Sequence, residues 1–411
     1  MTSRERVLNA INHKETDRVP IDLGATPSST ISAIAYNNLK KHLKITNGHT
    51  WVYDVVQQVV LPEEWCINRF NVDVIDIAQA FLNNEEWYQA LLPDGSWADY
   101  PKWFRPVPGE NGSQEVYKNG VLIARMPQGA TFYDQTFFPF LDGYPESFEN
   151  LDKAMEMVHW AALVHTPWDR ADRKDFWASL REAAKSLRKN TDKALLIVCG
   201  CNLFEWGTFL RRIDNFLMDL YLEPRKVEAL LDALLEIHLA TLEKVCQSVG
   251  DLVDIIRLGD DLGMDTGPFM APEIYRKFFK PRHKAMCDFI KKNSNMHIFL
   301  HSCGSIHKLI PDLIEAGFEI LNPVQTSAKD MEPERLKREF GNDVVFWGGG
   351  CNTRKILNFA SPQEVKVHVK KRLEVFSKQG GFVFNQEHNI MPDVPPENIV
   401  AMYEAIEEFY N

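Results

Sequence analysis

From about residue 190 onward the chain alternates short apolar runs rich in β-branched residues with longer stretches whose apolar positions recur every three or four residues. This is the pattern of βαβ units wound on a parallel sheet. The runs are Ala194–Gly200, Asp254–Gly259, His297–His301, Ile320–Val324, Val344–Trp347 and Phe382–Asn385. Between them fall the predicted helices Glu223–Ser248, Pro272–Lys292, Ile306–Ala316 and Pro362–Ser377. Gly317 stands where a left-handed residue would close the third of these, and Ser361, Pro362 and Glu364 give the fourth a capping-box start. In the first half Arg18–Leu23 and Asp73–Ala78, each preceded by a helical pattern, bring the strand count to eight. The expectation is an α/β fold, a (β/α)8 barrel forming one domain over residues 1–411. A doubly wound open sheet is the competing architecture, and no G-x-G-x-x-G follows the first strand to support it.

One stretch breaks the alternation. Residues 86–145 are rich in Gly, Pro and aromatics, with strand-like pieces at Gln114–Tyr117 and Val121–Met126. They read as an insertion, a β-hairpin covering the barrel mouth. Its rings, Trp87, Tyr88, Trp97, Trp103, Phe104, Phe132, Tyr133, Phe137 and Phe138, either wall a pocket for an aromatic or methylated ligand or pack onto the barrel.

Composition narrows the function without choosing it. With 45% hydrophobic and 25% charged residues in 411, the chain has the make-up of a globular protein. A net charge of -11 with no Lys/Arg-rich run argues against nucleic acid. No stretch approaches the roughly 18 apolar residues of a membrane span, and the start, Met1 to Arg6, leads into an amphipathic segment. A cytoplasmic location is therefore expected. The seven cysteines, at 66, 199, 201, 246, 287, 303 and 351, are scattered as reduced thiols would be. Cys199 and Cys201 have no partner pair, and with Cys66, Cys246 and Cys287 they read as core.

Barrels collect function at the C-terminal ends of their strands. Here the fourth run leads into Arg257 and Asp260-Asp261, the fifth into His301-Ser-Cys303-Gly, and the sixth into Asn322-Pro-Val-Gln325. The seventh leads into Gly348-Gly-Gly-Cys351 and the eighth into Glu387-His388-Asn389. His301 and Cys303, two apart, share one side of the local backbone. Cys351 comes two strands later on a glycine turn, and together the three offer the ligand set of a zinc with a fourth position open, against the plain alternative of three unrelated residues. Asp260, Asp261, Glu387 and His388 are the candidates for general acid–base work or for the fourth ligand. An ordinary cap or ion-pair role, with Arg257 as a partner, is the plain alternative for the aspartates.

Several segments resemble the uroporphyrinogen decarboxylase superfamily, and more closely its zinc-dependent, corrinoid-linked methyltransferase branch. They are Arg4 to His13 with Asp17-Arg-Val-Pro20, Tyr53 to Gln58, Leu300-His-Ser-Cys-Gly304, Asn322 to Gln325, and His388 to Asn398. The resemblance extends over essentially the whole chain. It implies zinc on His301, Cys303 and Cys351, substrate contacts at Tyr53, Gln57, Asn322, Gln325 and Asn389, and a corrinoid carried by a partner protein. A small methyl donor (methoxyaromatic, methanol or methylamine class), a thiol or folate acceptor and a second copy of the chain complete the expected partners. The arginine-rich opening, resembling R-Q-A-G-R, with which true uroporphyrinogen decarboxylases grip their substrate is missing, and Ile21-Asp-Leu-Gly24 is poor in cations. A metal-free decarboxylase of an aromatic or tetrapyrrole acid is the alternative activity, and a non-catalytic ligand-binding barrel a third.

Overall fold

The computed structural model describes residues 1–82, 86–159 and 165–411. Seven strands form one parallel sheet in the spatial order Val74–Asp76, Ala194–Gly200, Ile255–Gly259, His297–His301, Ile320–Asn322, Val345–Trp347 and Phe382–Val383. The segment around Ile21 joins its two edges: Asp73 N donates to Ile21 O at 2.8 Å, Phe384 N to Pro20 O at 2.8 Å, and Asp22 N to Phe384 O at 2.9 Å. The ring of eight is thereby closed. The expected first strand, Arg18–Leu23, is present in position but makes only an isolated bridge between Ile21 and Phe384. Pro20 has no N–H to give a longer ladder.

Alternation along the strands builds the core. One set, Val74, Ala194, Leu196, Val198, Ile255, Phe299, Ile320, Val345, Trp347 and Val383, fills the barrel interior. Val7, Ala10 and Ile11 of helix Ser3–Ile11 plug that interior from the strands' N-terminal end. The other set, among it Leu195, Ile197, Ile256, Leu258, Ile298, Leu300 and Phe346, packs outward against the helices.

Helix Pro224–Val249 matches its sequence pattern within a residue, and Pro362–Phe376 carries both hydrogen bonds of its capping box. Gly317 closes Ile310–Ala316 at φ 111°. The expected Pro272–Lys292 helix is two, Pro272–Phe278 and Lys280–Asn293, because Pro281 cannot donate into the preceding turn. In the insertion, hairpin Trp87–Leu91/Trp97–Pro101 and a separate four-stranded antiparallel sheet built on Gln114–Lys118 and Val121–Met126 replace the single expected hairpin.

Acidic residues pin the strands in pairs at the plugged end. Asp73, Asp254 and Glu319 each stand just before a strand, and each accepts the N–H of a residue on the preceding strand. The donors are Ile21 N at 2.9 Å, Leu195 N at 2.9 Å and Ile298 N at 2.8 Å. Asp73 is fully buried between Arg6 at 2.7 Å and Arg18 at 2.6 Å. Asp254 lies between Arg4 at 2.8 Å and Arg188 at 2.6 Å. The corresponding position before the eighth strand is Gly381, at φ +69°, where a Cβ would sit 2.6 Å from the His13 ring. Its N–H goes instead to Ala10 O at the end of the plug helix, at 2.9 Å. Asp73→Ala leaves half-buried Arg18 without its carboxylate, Ile21 N without its acceptor and Arg6 with Asp17 alone, so urea unfolding should show a loss of about 1–3 kcal/mol. A loss under about 1 kcal/mol would mean the clamp does not hold the seam.

Candidate metal centre

The inward-facing parity that is apolar low in the barrel becomes polar at the mouth. Val74 is followed by Asp76, Ile255 by Arg257, Phe299 by His301 and Cys303, and Ile320 by Asn322, each two residues on. Strand register sets His301 beside Gly259 on one side and Asn322 on the other.

His301 is held in one tautomer. Its Nδ1 lies 2.7 Å from Asn322 Oδ1, and Asn322 Nδ2 donates to Trp347 O at 2.8 Å, which fixes the amide's orientation. An amide oxygen only accepts, so Nδ1 carries the proton and the Nε2 lone pair faces the cavity. Cys303 Sγ is 3.5 Å from that Nε2, and Asp261 Oδ1 is 3.6 Å from it. His388 is oriented in the same way. Its Nδ1 donates to Asn389 Oδ1 at 2.9 Å, Asn389 Nδ2 donates to Gln57 Oε1 at 3.1 Å, and Gln57 Nε2 to Asp54 Oδ2 at 2.9 Å. The donor atoms of His301, Cys303 and His388 all lie within 4.8 Å of one another.

The loop bearing Cys303 is shaped by contact of two glycines. Gly304 has φ +82°, and a Cβ there would lie 2.3 Å from the Gly263 backbone. That approach lets Cys303 N donate to Asp261 Oδ1 at 2.8 Å. Burial, with Arg257 nearby, pushes the His301 imidazole down to about 3, so it is neutral near pH 7. Burial also lowers His388, and it raises the Cys303 thiol, with Asp261 and Glu205 adding to the rise. A bound cation would reverse that last trend.

Of the three residues expected to share a metal, the structure brings His301 and Cys303 together and adds His388. It does not bring Cys351 into the group. That thiol is fully buried in the outer core, with Glu387 and Arg372 as its charged neighbours. Asp260 takes no part at the mouth: its oxygens accept Phe204 N and Glu205 N, both at 2.9 Å, and His283 Nε2 lies at 3.1 Å, so it caps the helix Phe204–Arg211. Asn322 and Asn389 orient the two imidazoles, whereas Gln57 and Gln325 line cavities. Tyr53 is buried behind the wall, edge-on to His165 at 5.4 Å. The other five cysteines are free and buried.

Two chambers flank the cluster. The inner one, about 270 Å³, is bordered by His301, His388, Asp261, Glu205, Arg257 and His165. The outer one, about 460 Å³, is bordered by Cys303, His388, Glu387, Gln325 and Arg354. Phe132 lines both; of the nine aromatic residues singled out in the insertion it alone does so, while Phe104 and Tyr133 pack edge-to-face on each other. Glu387 has one oxygen on Thr326 and a second, buried, without a partner. Its burial pushes it up to about 7. Sequence reasoning passed over Glu205, which burial and the neighbouring Asp261 push up to about 8.

The sequence model of the uroporphyrinogen decarboxylase family matches residues 165–409, more than half the chain and all of the strands from the third to the eighth. The chain belongs to that family. Among curated relatives, the uroporphyrinogen decarboxylase of Magnetococcus marinus is 24% identical over 196 residues, 46% of this chain and 50% of that one. That of Methylococcus capsulatus is 31% identical over 97 residues, 24% of this chain and 26% of that one. The match to the Magnetococcus marinus protein thus spans about half that relative's length. A solved methyltransferase from Methanosarcina mazei covers the whole of both chains with a TM-score of 0.59 at 16% identity, a likeness of fold.

Asp76 tests the dielectric of this interior. One of its oxygens has no partner, and burial raises its pKa from 3.8 to about 8. Its contribution to stability is therefore complete below about pH 4 and is lost as pH rises through 8. Asp76→Asn should gain on the parent by on the order of 3 kcal/mol between pH 5 and pH 9 in urea unfolding. Parallel pH profiles for the two proteins would count against a buried neutral carboxyl.

Proposed function

We propose that this protein is a zinc-dependent methyltransferase that moves a methyl group between a small donor and a corrinoid protein, or a thiol or folate acceptor. The observation that carries the reading is the position of the cluster. His388 lines both chambers, His301 faces the inner and Cys303 the outer, so two separate ligands can reach one centre from opposite sides. A transferase needs that arrangement.

The donor set fits zinc. Two imidazoles with their Nδ1 protons committed to asparagines present bare Nε2 atoms beside a thiol, the borderline-soft mixture zinc prefers, with a position left open. Bound there, zinc would supply Lewis acidity to a donor heteroatom or hold an acceptor thiol as thiolate. The chain's own residues do the remainder. Asn322 and Asn389 keep the imidazoles aimed. Glu387, poised near neutrality with an unsatisfied oxygen at the outer chamber, holds or releases a proton there. Phe132 forms part of the wall of both chambers. The wider outer chamber is the side on which a corrinoid partner would dock.

The buried carboxyls Asp22 and Asp76, the second with an unpartnered oxygen, favour one other reading, a metal-free decarboxylase of an aromatic or tetrapyrrole acid. Zinc content and CO2 release separate the two.

The purified chain should hold one zinc per molecule by elemental analysis, and Cys303→Ala or His388→Ala should lower its affinity at least tenfold with the fold kept. Cys351→Ala distinguishes the donor sets: retained zinc gives the third place to His388, and lost zinc returns it to Cys351. Methyl transfer to cob(I)alamin, screened over methoxyaromatics, methanol and methylamines, should require the metal. Zinc-free protein that releases CO2 from an aromatic acid would overturn the reading.

A further inference from the structure

Among the described residues, Arg257 is a buried cation with no direct ion-pair partner, although Glu205 and Asp261 lie near enough to favour its charge. Its residue is 6% exposed, its Nε is buried without any hydrogen-bond acceptor, and no carboxylate among the described residues comes within ion-pair distance of its guanidinium. It faces inward because it lies two residues after Ile255, and it borders the inner chamber. Room for the fork is left by Gly259, where a Cβ would lie 3.2 Å from Arg257 Nη1. Leaving a guanidinium buried and unpaired is costly, and natural folds do so chiefly where a ligand supplies the missing charge.

The acids that share the chamber are engaged elsewhere. Asp54 accepts Val56 N, Gln57 N and Gln57 Nε2. Asp261 accepts Cys303 N, and Glu205 accepts Asn202 Nδ2 and Asp261 N. Away from these polar groups the walls are Pro27, Val56, Phe132 and Phe209. The chamber is thus small, apolar over part of its lining, and carries a planar fork of N–H donors that matches a carboxylate two-to-two.

We infer that the inner chamber takes a small aromatic carboxylate, its carboxylate bonded to Arg257 and its ring against Phe132 and Phe209. The inference rests on reading this chamber as the donor site, and it narrows the donor to an anionic methoxyaromatic. Arg257 is then the residue that selects charge, and neutral donors such as methanol are disfavoured.

The test is calorimetric binding of 4-methoxybenzoate and of its neutral counterpart 4-methoxybenzamide to the full chain, with no methyl acceptor present. The wild-type chain should bind the carboxylate at least about tenfold more tightly than the amide. Arg257→Met should weaken the carboxylate by about 10–100-fold and leave the amide within about threefold, which also reports that the chamber is intact. Arg257→Lys, which keeps the charge but not the fork, should fall between them. The preference should persist in Cys303→Ala stripped of zinc with a chelator, where a metal cannot supply the attraction. Equal affinity for the two probes, no binding of the carboxylate, an unchanged Arg257→Met, or loss of the preference in Cys303→Ala would each overturn the inference. Binding without methyl transfer would leave it standing while refuting the proposed reaction, and methyl transfer from neutral donors alone would do the reverse.

Discussion

The structure depends on one geometric constraint, the two-residue period of a strand whose inward face is enclosed by a closed barrel. Every inward position is cut off from bulk water, so its side chain must either be apolar or have its polar atoms answered. The lower layers take the first course with Val74, Leu196, Ile255, Phe299, Ile320 and Val345. At the mouth the same rows carry Asp76, Arg257, His301 and Asn322, and the second course becomes obligatory. His301 is answered completely on its Nδ1 side by Asn322 and left open on its Nε2 side. Arg257 Nε has no acceptor among the described residues. The incompleteness of these pairings, set in an enclosed interior, gives the mouth its capacity for chemistry.

The neutral form of His301 follows from the same burial. An imidazolium there would be desolvated and would face the Arg257 charge, so the ring presents a lone pair. Asp261 offsets part of that cation while bonding the backbone of Cys303, so one carboxylate shapes the ligand loop and tempers the field around it. His388 sits at φ 85°, a left-handed conformation uncommon for a residue with a side chain, and its ring still meets that of His301 edge-on at 5.6 Å. Such strain is maintained by the anchoring chain through Asn389 and Gln57.

Most of the barrel was legible in the sequence, because buried parallel strands are continuous apolar runs and helix ends carry their own capping chemistry. The runs Ala194–Gly200 and His297–His301 coincide with the strands residue for residue. The insertion was less legible, since its strands are short and their pairing is set by which aromatics find neighbours. At the site, the nearness of His301 and Cys303 was readable from strand-end alternation. Cys351 did not join them: a backbone on three glycines can turn its next side chain either way, and the outer core takes this one. Arg257 could have been found, since counting on by two from Ile255 places it on the axis. Glu205 sits at the start of a helix after the third strand, and nothing local distinguishes it from an ordinary first-turn acid.

The carboxylates that precede the second, fourth and sixth strands divide the barrel into three side-chain-stapled pairs and a fourth pair without a staple. Between the seventh and eighth strands, the main chain and the end of the N-terminal helix do the joining, through Gly381. The barrel is therefore a hoop with a clasp. Three links carry groups that travel with their own strands, and the fourth has the end of the N-terminal helix in the place of a staple. The helix that plugs the interior thus completes the set of links at the end of the molecule opposite the chamber that holds Arg257 and His301.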